Sequence, residues 1–179
     1  MALTIYEGRP ADISHRQARE IRVYDLLDRL GIPYQRIDHE PAANMEICDE
    51  IDKTLQATIC KNLFLCNRQK TAFYLLLIPS HKVFHTKDLS KQVNSSRLSF
   101  ADGEDIIRYL DSEPGSVSIM GLMNDPENKV RLLVDREVRE GVYFGCHPCV
   151  NTSSLKIKTD DIFNVFLPYV GHEPTFVTL

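Results

Sequence analysis

The sequence predicts an α/β fold: a single domain whose mixed or antiparallel β-sheet closes toward a barrel, with helices around it. Three observations support this prediction. Helix-like and strand-like segments follow one another without the regular alternation of a parallel sheet. Two apolar runs flank Asn67-Arg68, as in a hairpin. The 179 residues are enough for one well-buried core, and no repeat or linker-like stretch divides them, so residues 1–179 are read as one domain.

The first third of the chain predicts two helices and a strand. Ser14 and Gln17 resemble a capping box, and a partial apolar stripe then indicates a helix that ends at Gly31. Residues 33–38 are expected to form the first strand. Apolar residues at helical spacing from Met45 to Leu55 predict a second, short helix.

The remaining elements begin with the predicted hairpin of Cys60–Leu65 and Lys70–Ile78. The second run is almost continuously apolar, which is typical of a strand that is buried on both faces. Thr86 and Asp102 are candidate caps of two short helices that end at Gln92 and Leu110. Further strands are expected at residues 129–135, 143–145, 155–158 and 175–179, and an apolar helix at 162–167, capped by Thr159 and stopped by Pro168.

Composition and charge exclude several classes of protein. Hydrophobic residues make up 43% and charged residues 26%, which is ordinary for a soluble globular protein. The longest apolar run, Phe73–Ile78, is far shorter than the ~20 residues of a membrane span, and the N-terminus has no apolar segment of signal-peptide length. We therefore expect a cytoplasmic protein that does not enter a membrane.

A net charge of −4 argues against general affinity for DNA or for an RNA backbone. It does not exclude a protein that binds only the end of an RNA through a local basic surface. Basic residues do cluster in the middle of the chain, although a solvated surface would explain them equally well: Lys61, Lys82, Lys87, Lys91 and Arg97.

Cys146-His147-Pro148-Cys149 is the most conspicuous short pattern. A thioredoxin-like pair should open a helix, whose N-terminus lowers the pKa of the thiol, but a probable strand follows here. A zinc site would need a second pair of ligands at suitable spacing, which the sequence does not offer. Five cysteines without a secretion signal suggest reduced thiols. A thiol or zinc protein stays open as an alternative, but no metal or cofactor is expected.

Two further patterns could bind a substrate. Lys61 lies next to Asn62 within an apolar run, and a lysine directed into a cavity can hold a phosphate or carbonyl; a half-exposed strand lysine is the simpler explanation. Gly115-Ser116-Val117-Ser118 and Gly121 offer backbone N–H groups with little side-chain bulk, as an anion-binding loop or an ordinary turn would. No phosphate-loop, dinucleotide-binding, zincin or nucleophile-elbow motif occurs.

Together these segments resemble the prolyl-tRNA editing family, which includes the YbaK-like deacylases and the ProX type that clears alanyl-tRNA(Pro). The resemblance runs from about Glu20 to Asp161. It rests on three motifs in order: Lys61-Asn62, the loop from Gly115 to Asp125, and Gly145 to Thr152. It implies an editing-domain fold like that of YbaK and of the prolyl-tRNA synthetase editing domain.

The resemblance also implies roles for individual residues. Lys61 matches the family lysine that anchors the terminal adenosine or carbonyl and is the expected catalytic residue. His147 matches a histidine that lines the aminoacyl pocket. Ile119 departs from the family, which usually has a proline there to stiffen the loop. The expected substrate-binding residues are Asn62, Gly115, Ser116, Val117, Ser118, Ile119, Gly121, His147, Pro148 and Asn151.

The implied activity is hydrolysis of the ester bond of mischarged tRNA(Pro), with alanyl-tRNA(Pro) as the expected substrate. The implied partners are the acceptor end of that tRNA and prolyl-tRNA synthetase. No protein nucleophile is required, which suits a chain that has no recognisable catalytic triad. The alternative is a binding protein, a non-catalytic relative that binds or senses aminoacyl-tRNA. Ile119, in place of the usual loop proline, is the residue that suggests this alternative.

Overall fold

The computed structural model describes residues 2–41, 45–57 and 59–179, and their strands form two sheets. The first sheet is antiparallel with strand order β1-β2-β8-β7, and the second has the order β5-β3-β4-β6-β9. In the second sheet β6 runs parallel to both β4 and β9. The strands are β1 (Ile5–Glu7), β2 (Tyr34–Asp38), β3 (Lys61–Asn67), β4 (Phe73–Ile78), β5 (Leu98–Phe100), β6 (Val130–Asp135), β7 (Tyr143–Cys146), β8 (Ser153–Lys158) and β9 (Thr175–Val177).

The helices lie between these strands in an irregular order, as the sequence predicts. They are α1 (Ala18–Arg29), α2 (Met45–Leu55), α3 (Thr86–Gln92), α4 (Gly103–Leu110), a 3-10 helix (Ile119–Asn124), α5 (Arg136–Glu140), α6 (Thr159–Asp161), a π-helical segment (Ile162–Phe166) and α7 (Leu167–Val170). Among the described residues, none of these helices is long and apolar enough to cross a membrane. The mixed α/β fold is thus confirmed.

Closure toward a barrel is not confirmed. The strands belong to two separate sheets, and an isolated parallel bridge between Ile59 and Gly145 brings the start of β3 against β7. This contact is close, because a Cβ added to Gly145 would lie 2.9 Å from Cγ1 of Ile59. The bridge thus joins the residues just before β3 to β7 without forming a continuous ladder between the two sheets.

β4 is the centre of the core, as its apolar sequence predicts. All six of its residues are buried, and it pairs with β3 on one side and β6 on the other. Successive strand side chains point to opposite faces. Leu75 and Leu77 pack into the larger apolar cluster between the sheets, and Leu76 and Ile78 pack into a second cluster beside α3. Both faces of this sheet are consequently covered.

Several local predictions are wrong at helix ends. The Ser14–Gln17 capping box does not form: Ser14 bonds to Asp12, and Gln17 precedes α1 without a side-chain cap. The short, exposed strand β1 was not predicted, because three exposed residues carry no burial pattern. Asp102 does cap α4, accepting from the Asp105 N–H at 3.0 Å.

The predicted apolar helix after β8 also differs from the structure. Thr159 is the first residue of α6 and its hydroxyl has no hydrogen-bond partner among the described residues. Pro168 does not stop the helix: it is the second residue of α7, which continues the preceding π-helical segment without a break. A single-turn π-helix precedes it, and the chain leaves the helix at Gly171.

Candidate functional site

His147 lies in a turn that joins β7 to β8. The ring is only partly exposed, and its Nδ1 is 2.9 Å from the carbonyl oxygen of Ser153. A carbonyl can only accept, so we assign the proton of the neutral ring to Nδ1, which leaves Nε2 as an acceptor. Burial lowers the pKa of His147, although the bond to Ser153 opposes that effect. The ring is thus held in place and is neutral at pH 7.

A second histidine meets the first across β2 and β8. The ring centroids of His39 and His147 are 6.3 Å apart in an edge arrangement. Nε2 of His39 is 2.9 Å from Oγ of Ser154, whose Oγ is also 3.5 Å from Nδ1 of His147. Sequence reasoning assigned no role to either His39 or Ser154. The pairing of β2 with β8, in which Ile37 lies opposite Ser154, and a hydrogen bond from the His39 N–H to the Thr152 carbonyl bring these residues together.

A buried polar network supports this pair of histidines from behind. Asp38 accepts two bonds from Arg16 and one of 2.7 Å from Oγ of Ser153. Burial alone would raise the pKa of Asp38, but the bonds from Arg16 and Ser153 outweigh it and lower the pKa. Glu20 accepts from Arg16 and from the hydroxyl of Tyr24. Charge pairing therefore ties the N-terminal segment and α1 to the strands that carry His39 and Ser153.

The glycine-containing loop packs against the same turn. The Glu113 N–H donates to the Cys149 carbonyl at 3.2 Å, and a Glu113 carboxylate oxygen accepts from the Asn151 N–H at 3.3 Å. Burial raises the pKa of the Cys146 thiol, and the side chain of Ser118 opposes that effect through a hydrogen bond to it, so the loop also lies beside the end of β7. Two of the three sequence motifs thus lie side by side, and the buried Pro148 lies within the turn between these contacts.

The loop itself is more closed than an anion-binding loop. The side chains of Ser116 and Ser118 are completely buried. Ser118 caps the 3-10 helix by accepting from the Met120 N–H at 3.1 Å, and the Ser116 and Gly121 N–H groups bond to carbonyls within the loop. Gly115 has a φ of 93°, which glycine adopts without strain, and Val117 packs partly buried against the larger cluster. These bonds reduce the number of N–H groups that a ligand could use.

Ile119 occupies the position where the family usually has proline. It is the first residue of the 3-10 helix and is completely buried in the core. Proline suits the first position of a helix, and the extended backbone of Ser118 is the conformation that a residue before proline prefers. The backbone therefore keeps a shape that fits proline, while Ile119 contributes apolar burial in its place.

Lys61 and Asn62 begin β3 and point to opposite faces of it. Lys61 is exposed, and its Nζ donates to the Lys82 carbonyl at 3.0 Å. Asn62 is half-buried and donates to the carbonyl of Cys60, while its Oδ1 is buried without a partner among the described residues. A buried, unpaired acceptor is uncommon and could accept from a ligand. The described contacts do not join Lys61 to His147, and Lys61 instead lines a surface groove with Phe84 and Phe100.

The cysteines of this region are buried. Both Cys146 and Cys149 have no exposed surface, and burial raises the pKa of Cys149 to about 11 and that of Cys60 to about 12. Thiolates are therefore scarce at neutral pH, and thiol chemistry depends on the thiolate. Among residues 2–41, 45–57 and 59–179, no group of three or more His, Cys, Asp or Glu side chains could hold a metal ion.

Comparison with known proteins agrees with this arrangement of motifs. The family described as the aminoacyl-tRNA editing domain matches residues 39–165, which contain all three motifs. The prolyl-tRNA editing protein ProX of Acetoanaerobium sticklandii is 29% identical over 151 residues, which cover 84% of this chain and 90% of that protein. The prolyl-tRNA synthetase associated domain-containing protein 1 of Mus musculus is 28% identical over 154 residues, covering 83% and 89%.

A solved structure shares the fold. It is described as a candidate trans-editing enzyme for prolyl-tRNA synthetase, and it matches with a TM-score of 0.65 at 13% identity. The match covers 91% of this chain and 98% of that one. At this level of identity the similarity concerns the fold.

The close packing of Gly121 makes a stability prediction. A Cβ at this position would lie 2.7 Å from the carbonyl oxygen of Leu110, so we expect Gly121→Ala to lower the free energy of unfolding by about 1–3 kcal/mol. Gly141→Ala is the matched control, because its nearest contact would be an ordinary 3.6 Å and its φ is −68°. Urea titration of both variants measures the difference; equal stability of the two would contradict the packing described here.

The burial of four of the five cysteines predicts how fast each thiol of the native protein reacts with a thiol reagent. Of the five cysteines only Cys48 is exposed, so at pH 7 a thiol reagent should label one thiol rapidly and the other four only after denaturation. Cys48→Ser should remove the rapid phase. A second rapidly labelled thiol that disappears in Cys149→Ala would instead support chemistry at the cysteine pair.

Proposed function

This chain belongs to the aminoacyl-tRNA editing domain family, and from that premise we propose that it is a free-standing deacylase that hydrolyses the ester bond of mischarged tRNA(Pro). The observation that carries the proposal is the family match across residues 39–165, within which His147 and the glycine-containing loop lie side by side. We take residues 1–179 as one editing domain that acts in the cytoplasm. Its partners would be the acceptor end of the tRNA and prolyl-tRNA synthetase.

The proposed chemistry needs few groups. An aminoacyl ester is already activated, so a positioned water and hydrogen-bond donors to the developing oxyanion are enough to accelerate its hydrolysis. Lys61 supplies a positive charge at the margin of the site, where it would hold the 3′ end of the tRNA. The unpaired Oδ1 of Asn62 offers an acceptor on the inner face of β3. No covalent intermediate is required.

Alanine is the proposed amino acid because a proline site discriminates poorly against it. Each methylene missing from a substrate weakens binding by only ~1–3 kcal/mol, and alanine, which lacks two carbons of the proline ring, fits inside the proline pocket, so a synthetase that binds proline also activates some alanine. A second site that admits only small side chains corrects this error. Here the fixed ring of His147, with Pro148 beside it, would form the wall that sets the size limit.

The non-catalytic alternative is tested by the same assay as the proposal. Its motivation, Ile119 in place of proline, is weakened by the backbone, which keeps a conformation that suits proline at this position. A catalytically silent relative would bind aminoacyl-tRNA without releasing the amino acid. A chemical measurement of ester hydrolysis therefore separates the two functions.

The substrate is tested by deacylation of a panel of aminoacyl-tRNAs. The parent should hydrolyse alanyl-tRNA(Pro) fastest, and His147→Ala should accept larger aminoacyl groups because the wall is gone, while hydrolysis of alanyl-tRNA falls only modestly. The informative quantity is the ratio of rates on large and small aminoacyl groups. An equal collapse on every substrate in a folded variant would assign His147 to catalysis instead, and no hydrolysis by the parent would refute the proposed function.

Lys61 is expected to be required for activity but not for folding. Lys61→Ala should slow deacylation at least about a hundredfold, the scale of removing one key electrostatic group. Its thermal unfolding should match that of the parent, because the side chain is exposed. Lys53→Ala, another exposed lysine near the start of β3, serves as the control for loss of one charge. Near-normal activity of folded Lys61→Ala would exclude this role.

A further inference from the structure

Two adjoining grooves lie on the surface beside Lys61. The first has a volume of about 470 Å³ and is lined by Lys61, Phe84, His85 and Phe100 among others. The second has a volume of about 770 Å³ and is lined by Lys91, Asn94 and Arg97 among others. Thr86 and Lys87 of α3 line both, so the two grooves adjoin each other along α3. We call them together the α3 groove, and none of the residues that line it is acidic.

The cations of the α3 groove are not neutralised. Lys87, Lys91 and Arg97 have no carboxylate within salt-bridge distance in the described part of the chain. Lys82, by contrast, is 3.0 Å from carboxylate oxygens of both Asp135 and Glu137. Lys87 and Lys91 are four residues apart and share one side of α3. Asp88 lies about 100° around the helix from Lys87 and about 60° from Lys91, and its side chain is exposed to solvent beside them. In a chain with net charge −4, this is a local positive surface.

An aromatic side chain stands at the end of the groove next to Lys61. Phe100 is 61% exposed, and the edge of one ring faces the other in the pair Phe84–Phe100, with centroids 6.2 Å apart. An exposed phenylalanine held by a second ring presents an apolar face to water. Basic grooves with exposed aromatic rings are typical of sites for single-stranded nucleic acid, because bases stack on the rings and phosphates meet the cations.

The groove is carried by a rigid element. Leu89 of α3 is completely buried against β4 and its neighbours. Gln92 exchanges two hydrogen bonds with the backbone of Thr178 near the C-terminus. The backbone positions of the cationic residues relative to Phe100 are therefore fixed by packing, so that the helix itself needs little ordering when a ligand binds.

We propose that the α3 groove binds the single-stranded 3′ end of the tRNA, with a base stacked on Phe100 and phosphates held by Lys87, Lys91 and Arg97. This inference rests on the proposed function, because it leads the 3′ end to Lys61 at the margin of the deacylation site. The groove suits unpaired nucleotides better than a duplex. A duplex buries its base faces, whereas an unpaired base can lie flat on an exposed ring.

The test measures binding without the ester. The probe is a non-aminoacylated acceptor-stem minihelix with a four-nucleotide single-stranded 3′ end. It is compared with the same stem lacking the single-stranded nucleotides. Fluorescence anisotropy at several salt concentrations gives the dissociation constants. Three proteins are compared with the parent: Lys87→Ala/Lys91→Ala/Arg97→Ala, Phe100→Ala, and a control that removes three exposed, unpaired cations elsewhere, Arg29→Ala/Arg68→Ala/Lys158→Ala.

In a plot of the logarithm of the association constant against the logarithm of the salt concentration, the triple groove variant should have a slope shallower by about 2, since each contact with a single-strand phosphate contributes about 0.7. Phe100→Ala should weaken binding of the overhang probe by about tenfold, leave the flush stem unaffected, and be rescued by Phe100→Tyr. The control triple variant should behave as the parent.

Equal binding by the groove and control variants would refute the assignment of the α3 groove as the binding site for the 3′ end, even if the parent hydrolyses alanyl-tRNA. Groove-dependent binding by a parent that hydrolyses no aminoacyl-tRNA would leave the groove in place and refute the proposed function alone.

Discussion

The close approach of Gly145 to Ile59 is the contact on which the arrangement of the site depends. A side chain at Gly145 would collide with Ile59, including its backbone N and Cα atoms at 3.1 Å. Because glycine permits this approach, the first residues of β3 lie next to β7, although the two strands belong to different sheets. Lys61 and Asn62 follow this contact on one strand, and His147 follows it on the other. Motifs more than eighty residues apart are therefore brought to one region by one backbone contact.

Charge pairing supports the same region from the opposite side. Burial opposes ionisation of Asp38, but the hydrogen bonds from Arg16 and Ser153 outweigh it and hold the pKa of this carboxyl below its usual value. Such a group is costly to leave unpaired, which fixes its partners in place. Ser153 also accepts the bond from His147 through its carbonyl. The orientation of a ring at the surface thus depends on an ion pair that the sequence places more than a hundred residues away.

Much of the fold could be predicted because burial leaves a pattern in the sequence. The continuous apolar run of β4, the hairpin at Asn67-Arg68 and the Asp102 cap each follow from local residue types, and the structure contains all three. The division into two sheets could not be predicted, since it depends on pairing between distant strands. The same limit applies to the site: Lys61 and His147 stand out in the sequence, but the contact of His39 with Ser154 exists only through the β2–β8 register.

The alternation of β3 adds a constraint on how a substrate can lie. Lys61 faces the α3 groove, and its neighbour Asn62 faces the side where Cys60 lies, because adjacent strand residues point to opposite faces. If both residues act on one aminoacyl-tRNA, its nucleotide and its amino acid must lie on opposite sides of the first residues of β3. The ester that joins the nucleotide to the amino acid would then lie next to the first residues of β3, near the contact of Ile59 with Gly145. Lys61 and Asn62 would face the same space if they lined a single deep pocket, whereas at the start of β3 they face opposite sides of the strand.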